Sequence, residues 1–245
     1  MPENKSRPRY LLLDELRGLA IILMVAYHAF YLLAFVFGSA TGRMLNDFIG
    51  PVQPFIAGTF ILLCGVCCRF SRSNLKRGLK LAGAAAIVTL FTLVMTLFGV
   101  NEVIWFGVLH FLVCAVLLFA LLQKLPGQFE NLPWVQIIIF AALFFMFAVW
   151  RPFPKTDFIP LFVLGFPSFT LRSADYFPLF PWLFLFLAGT AAGIYGKQGR
   201  FPGWFAKSRV PALAWLGRHS LLIYLAHQPV LFALFMALEA AGVKL

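Results

Sequence analysis

Three histidines, His28, His110 and His227, lie inside apolar runs where a lipid-exposed helix has no use for them. The stretch "LDELRGLAIILMVAYHAFYLL", residues 13 to 33, carries Arg17, ten further residues and then His28. Ionisable groups at membrane depth cost several kcal/mol near the middle of a span, so each one is a functional candidate by default. Imidazole has an ordinary pKa near 6.5, which suits it to take up and return a proton at neutral pH. It also ligates zinc or copper, but these three are far apart in sequence with few carboxylates near them, so a metal site is not expected. At about 1.5 Å per helical residue, His28 lies roughly 14 Å from the outer end of its run, His110 roughly 11 Å, and His227 roughly 12 Å from the inner end of its own. Three imidazoles at such depths could meet in one cavity, or each could simply hydrogen-bond a neighbouring helix. Asp14 and Arg17, one helical turn apart, read as an ion pair at the membrane edge or as part of a site, with Arg17 snorkelling. Pro229, two residues beyond His227, removes a backbone donor inside its run.

The elements that carry these residues follow from composition. The chain has 245 residues, 62% of them hydrophobic and 12% charged, with a mean hydropathy of +0.89. Soluble domains are about 45–50% apolar and about 25% charged, so the composition predicts a membrane protein. Uncharged stretches of spanning length occupy 19–37, 48–68, 81–100, 103–122, 132–150, 176–196 and 219–238. The stretch 158–171, "FIPLFVLGFPSFTL", is short and broken by Pro160 and Pro167, and reads as re-entrant or interfacial. The expected fold is therefore all-α, a polytopic integral membrane helix bundle of about seven transmembrane helices, or eight if 158–171 crosses. A single domain over 1–245 is expected, since no connection is long enough for a soluble one.

The net charge of +11 raises the question of nucleic acid, and topology answers it better. With alternate connections assigned to the cytoplasm, fifteen of the twenty Lys and Arg residues fall on that side. Only Arg43, Arg151, Lys155, Arg172 and Lys244 fall on the other. This positive-inside bias predicts a cytoplasmic N-terminus and an external C-terminus. The first apolar run is too long for a cleaved leader and reads as a retained anchor. Cys64, Cys67, Cys68 and Cys114 all fall within predicted spans and read as packing thiols, with no disulfide framework or zinc spacing. Gly189 and Gly193 form a GxxxG pattern that predicts close helix packing. A rhodopsin-like receptor is disfavoured, because the N-terminus is expected inside and "SLLIYLAHQPVLFALFMAL" has no lysine for a retinal Schiff base.

Arg17, His28 and their neighbours resemble the opening of transmembrane acyltransferases. An arginine, ten residues and a histidine mark the first helix of the acyltransferase-3 group, and "RFSR", Arg69 to Arg72, resembles that group's cytoplasmic RxxR. "LGRHSLLIYLAHQPVL", 216 to 231, resembles its final helix. "FGVLHF" and "DYFPLFPWLFLFLAG" resemble more narrowly the small bacterial proteins of the heparan-α-glucosaminide N-acetyltransferase catalytic family. The likeness runs from about 9 to 232, in a chain shorter than the ten or eleven spans common among such proteins. It implies acyl transfer, most simply acetyl, from cytosolic acetyl-CoA or another acyl-CoA to a carbohydrate amine or hydroxyl across the membrane. On that reading Arg69, Arg72, Lys76 and Arg77 would bind the nucleotide phosphates and Arg17 would guide the pantetheine arm. His28 would be the general base in a direct transfer, with acetyl-histidine as the covalent alternative. His110, His227 or Asp175 would orient His28 or stabilise the oxyanion. Asp175 and Tyr176 would contact the acceptor, or else cap a helix at the interface. None of the four histidines begins the HxxxD motif of soluble CoA-dependent acyltransferases.

The expected partners are membrane lipids, acyl-CoA and an extracytoplasmic glycan or amino sugar, with a homodimer conceivable, no nucleic acid and no metal cofactor. The expected location is a bacterial inner membrane. Two rival readings stay open: a proton-coupled transporter or channel, which would be expected to show a repeat that the sequence lacks, and a non-catalytic membrane partner.

Overall fold

Long apolar runs in lipid have one inexpensive conformation, the helix, because it satisfies every backbone N–H and C=O within the segment. The computed structural model, which describes residues 9–100, 102–124 and 132–244, builds its regular structure from helices. It has no β-strand among the described residues, only an isolated bridge between Phe106 and Tyr176. In chain order the helices are α1 (Leu11–Tyr31), α2 (Ala40–Ile49), α3 (Gln53–Cys68), α4 (Asn74–Met95), α5 (Val108–Leu122), α6 (Pro133–Val149), α7 (Ile159–Leu164), α8 (Leu179–Lys197), α9 (Pro211–Arg218) and α10 (Ser220–Ala240).

Five helical segments are long and apolar enough to cross a membrane: Leu11–Val36, Ala40–Cys68, Asn74–Phe98, Leu179–Lys197 and Ser220–Ala240. Two shorter apolar helices, α5 and α6, occupy the other two stretches read from the sequence. The 158–171 stretch holds only the six-residue α7. Large apolar side chains stand exposed along these helices, among them Phe48 at 84%, Leu97 at 82% and Val149 at 80%. Exposure on this scale is untenable in water and ordinary against acyl chains.

Local signals set the helix ends. The Ser39 hydroxyl accepts from Gly42 N–H at 3.0 Å and caps α2. Ser73 does the same for α4 through Lys76 N–H at 3.3 Å. The α4 segment runs on as a tighter turn to Phe98 and stops at Gly99, whose φ of +83° lies in the left-handed region that favours glycine. α1 loosens into a π-helical turn over Leu32–Val36.

The helices fall into two packing units, and the division lies within α3, between Thr59 and Phe60. In the first unit, α1 packs against α9 over most of that short helix's length, and also meets α10 and α2. Glycine makes the α1–α9 crossing possible. A Cβ on Gly18 would strike the Leu213 carbonyl, and one on Gly217 would strike the Asp14 carbonyl. In the second unit, α6 lies along α8 and α4 along α5. There Gly65 of α3 faces the Phe186 carbonyl of α8, while Gly189 and Gly193 of α8 face the Leu62 and Val66 carbonyls of α3. The GxxxG expected to pack closely does so, in the way small residues let membrane helices approach.

Candidate functional site

In the first unit, α1 and α10 bring two of the three intramembrane histidines side by side. The ring centroids of His28 and His227 are 5.0 Å apart with their planes at 49°. Tyr27 sits edge-on to His28 at 5.3 Å, and Tyr224 edge-on to His227 at 5.5 Å. His227 is buried, with 7% of its surface exposed, and His28 is half-buried.

Each ring has one nitrogen with a partner whose chemistry is fixed. His227 Nδ1 lies 2.6 Å from the Tyr224 carbonyl oxygen. A carbonyl only accepts, so Nδ1 carries the hydrogen and Nε2 carries a lone pair. That Nε2 is buried and has no hydrogen-bond partner among the described residues. His28 Nδ1 lies 3.1 Å from the side-chain amide nitrogen of Gln228. An amide nitrogen only donates, so His28 accepts at Nδ1 and carries its hydrogen on Nε2. Gln228, between His227 and Pro229, thus reaches back to the first helix. The sequence reading passed over it, because an uncharged amide beside a histidine gives no signal until the two helices are placed together.

At the start of α1 the expected Asp14–Arg17 ion pair is present, and Arg9 completes it from the other side, with its Nε 2.8 Å from Asp14 Oδ2. Arg17 is therefore engaged by its own helix, and its Nε has no hydrogen-bond partner among the described residues. Glu15, also unremarked in the sequence, is buried and does more structural work than Arg17. Its Oε1 accepts from the Ser208 hydroxyl at 2.7 Å, Arg209 N–H at 2.7 Å and Val210 N–H at 2.9 Å. The carboxylate thereby satisfies the donors that lead into α9.

The second unit holds His110, the four proposed phosphate cations and the two proposed acceptor contacts. His110 is occupied at both ring nitrogens. Its Nδ1 accepts from Gly107 N–H at 3.3 Å. Its Nε2 lies 3.0 Å from the Thr89 hydroxyl, which itself donates to the Ile104 carbonyl at 2.8 Å. The Thr89 proton is thus committed, and His110 Nε2–H must donate to Thr89. This arrangement locks α5 to α4 and leaves no lone pair for proton transfer.

Asp175 and Tyr176 also spend their polar atoms on the fold. Asp175 Oδ2 accepts from Val108 N–H at 3.0 Å, at the start of α5. The Ser173 hydroxyl accepts from Trp105 and Phe106 N–H and donates to the Asp175 carbonyl at 2.7 Å. A side chain at Gly107 would fall on the Asp175 carboxylate, 2.5 Å from Oδ2. Burial pushes the Asp175 carboxyl up to about 6, against the opposing pull of Val108 N–H. The Tyr176 hydroxyl donates to the Phe162 carbonyl at 2.6 Å, and its ring stacks on Phe162 at 4.4 Å. Burial pushes that phenol up to about 12, so it stays a donor.

Of the four cations, Arg69 and Arg77 are partly buried, while Arg72 and Lys76 are exposed. Arg69 Nε donates to the Thr190 carbonyl at 3.1 Å, and its guanidinium lies 5.0 Å over the Phe119 ring. Arg77 donates to Cys64 Sγ at 3.3 Å. All four cysteines are free thiols. No group of three or more metal-ligating side chains converges among the described residues.

Comparison with known proteins gives one family. The model described as "Heparan-alpha-glucosaminide N-acetyltransferase, catalytic" matches residues 9–229, most of the chain. No curated protein and no solved structure matches.

Proposed function

We propose, from the premise that the chain belongs to the heparan-alpha-glucosaminide N-acetyltransferase catalytic family, that it moves an acetyl group from acetyl-CoA to a carbohydrate amine or hydroxyl outside the cytoplasm. Family membership carries membrane acetyltransferase activity. The choice of donor, acceptor side and proton-handling residue is ours.

The observation that carries the finer reading is the His28–His227 pair. Two neutral imidazoles in contact on α1 and α10 offer a proton acceptor and a proton donor in a setting where any other ionisable pair would be costly. Asp14 pairs with both Arg17 and Arg9 near the start of α1. Arg72, on the connection between α3 and α4, and Lys76, in the first turn of α4, are the exposed cations of the four and hence the first choice for nucleotide phosphates. Asp175, Tyr176 and His110 fit a positioning role better than direct contact with substrate, given their partners on the chain.

The direct test is transfer of label from radiolabelled acetyl-CoA, by the purified protein in lipid nanodiscs, to a panel of amino sugars and oligosaccharides. His28→Ala is expected to cut turnover by roughly 10²-fold or more, the scale of losing one imidazole that acts on the reacting atoms, by proton transfer or by hydrogen bonding. Arg72→Ala and Lys76→Ala are expected to raise the KM for acetyl-CoA with little change in kcat. Failure of the unaltered protein to label any acceptor would sink the proposal, and full activity in His28→Ala would remove the imidazole from it.

A further inference from the structure

The two histidines of the pair are not equivalent, and their hydrogen bonds divide the labour between them. We propose that His227, not His28, accepts the acceptor's proton, through the lone pair on its Nε2, and that His28 presents an Nε2–H to the carbonyl oxygen of the thioester. The inference rests on the acyl-transfer reading and assigns roles within it.

The argument is a count of donors and acceptors. The Tyr224 carbonyl at 2.6 Å requires a hydrogen on His227 Nδ1. A neutral imidazole has one N–H, so His227 Nε2 is a bare lone pair. It is buried and unpartnered among the described residues. A buried acceptor with nothing to accept is costly in a finished fold. It becomes intelligible as a base waiting for a substrate proton. His28 has the opposite arrangement. The Gln228 amide nitrogen at 3.1 Å donates into Nδ1 and leaves the ring hydrogen on Nε2. Gln228 and His227 are neighbours on α10, so one helix sets both tautomers. The Arg17-to-His28 spacing drew attention to the first-helix histidine. The hydrogen-bond pattern makes that ring the electrophilic partner instead.

The chemistry balances with these two rings alone. The acceptor's hydroxyl oxygen, or its neutral amine nitrogen, attacks the thioester carbonyl carbon and forms the new C–O or C–N bond. Its proton passes to His227 Nε2. The negative charge that develops on the carbonyl oxygen is met by His28 Nε2–H. The tetrahedral adduct collapses, the C–S bond breaks, and the departing CoA thiolate takes the proton from His227. The products are the acetylated acceptor and CoA thiol, and both rings return to their starting tautomers.

The test has a spectroscopic arm and a kinetic arm. Nitrogen–proton correlation spectra of the full chain, labelled with 15N-histidine in nanodiscs, report each ring's tautomer without reference to activity. His28→Gln and His227→Gln identify the two signals. The expected result is hydrogen on Nδ1 for His227 and on Nε2 for His28. In the kinetic arm, His227→Gln is expected to lose roughly 10²- to 10⁴-fold in kcat with sugar acceptors. At least tenfold of that loss should return with hydroxylamine, a nucleophile that attacks without a base. His28→Gln is expected to lose roughly 10²- to 10³-fold, with no recovery by hydroxylamine. The same tautomer on both rings, or hydroxylamine rescue of His28→Gln in place of His227→Gln, overturns the assignment while acyl transfer stands. So does acetyl label found on His227 after incubation without an acceptor. An unaltered chain with no transfer to any acceptor, hydroxylamine included, overturns both.

Discussion

At the scale of single residues, polar side chains in this protein divide by whether their hydrogen-bonding capacity is used up. His110 donates to Thr89 and accepts from Gly107, and Tyr176 donates to Phe162. Such groups pay for their burial with structure. Asp175 belongs with them, and its titration makes the point testable. Its carboxyl is pushed from 3.8 up to about 6 by burial, with one N–H partner opposing. The folded protein therefore binds this proton more tightly than the unfolded chain does. The resulting stabilisation is complete below about pH 4 and is lost as pH rises through about 6, with a full effect of about 3 kcal/mol. Asp175→Asn is neutral throughout and keeps an oxygen for Val108 N–H. Thermal unfolding in detergent between pH 4 and pH 7 should show the unaltered protein losing stability relative to the variant as pH rises. Parallel curves would mean that Asp175 titrates normally. In the sequence the residue reads as an acceptor contact or an interfacial helix cap. Its role as the anchor of α5 was not legible there, because Val108 lies 67 positions away and nothing local links the two.

At the scale of elements, the opening segment "LDELRG" turns out to be a clamp as much as a site. Asp14 holds Arg9 and Arg17, Glu15 holds the backbone entering α9, and Gly18 lets α9 approach to backbone contact. The seven apolar stretches read from the sequence each coincide with a helix, since hydropathy over about twenty residues is a strong signal. The short α9 is different. Eight residues within a connection rich in Lys and Arg read as loop, and only its packing on α1 makes it a helix that matters. Gly18→Val and Gly217→Val should each break that crossing, because the obstruction is a main-chain carbonyl that no rotamer can move aside. The expected loss is about 3 kcal/mol, the upper end for overpacking, read as a fall in unfolding temperature and in monodisperse yield. Gly83→Ala is the control. A Cβ there meets nothing within 4 Å, and alanine in the middle of α4 should be neutral or stabilise by up to about 1 kcal/mol. Equal tolerance at Gly18 and Gly83 would remove the crossing from the account.

At the scale of the whole molecule, the question is which side of the membrane each connection faces, and charge supplies the expectation. Connections 69–80 and 197–218 carry ten of the twenty Lys and Arg residues, while 151–175 carries three. Each basic residue near the membrane surface biases its connection toward the cytoplasm. A charged nucleotide does not enter hydrocarbon, so the proposed cytosolic acyl-CoA donor requires Arg72 and Lys76 to stand on the cytosolic face. On the proposed function the acceptor side is the one bearing 151–175. A single substitution in each connection tests the arrangement. Asp157 and Lys207 are exposed and lie outside the long apolar helices. Asp157→Cys should react with a membrane-impermeant maleimide on intact cells, and Lys207→Cys only after the membrane is opened. The unsubstituted chain supplies the background, since its four thiols lie within helices. Labelling of Lys207→Cys from outside would invert the protein, put the exposed cations on the wrong face for cytosolic acyl-CoA, and leave the positive-inside count as the argument that failed.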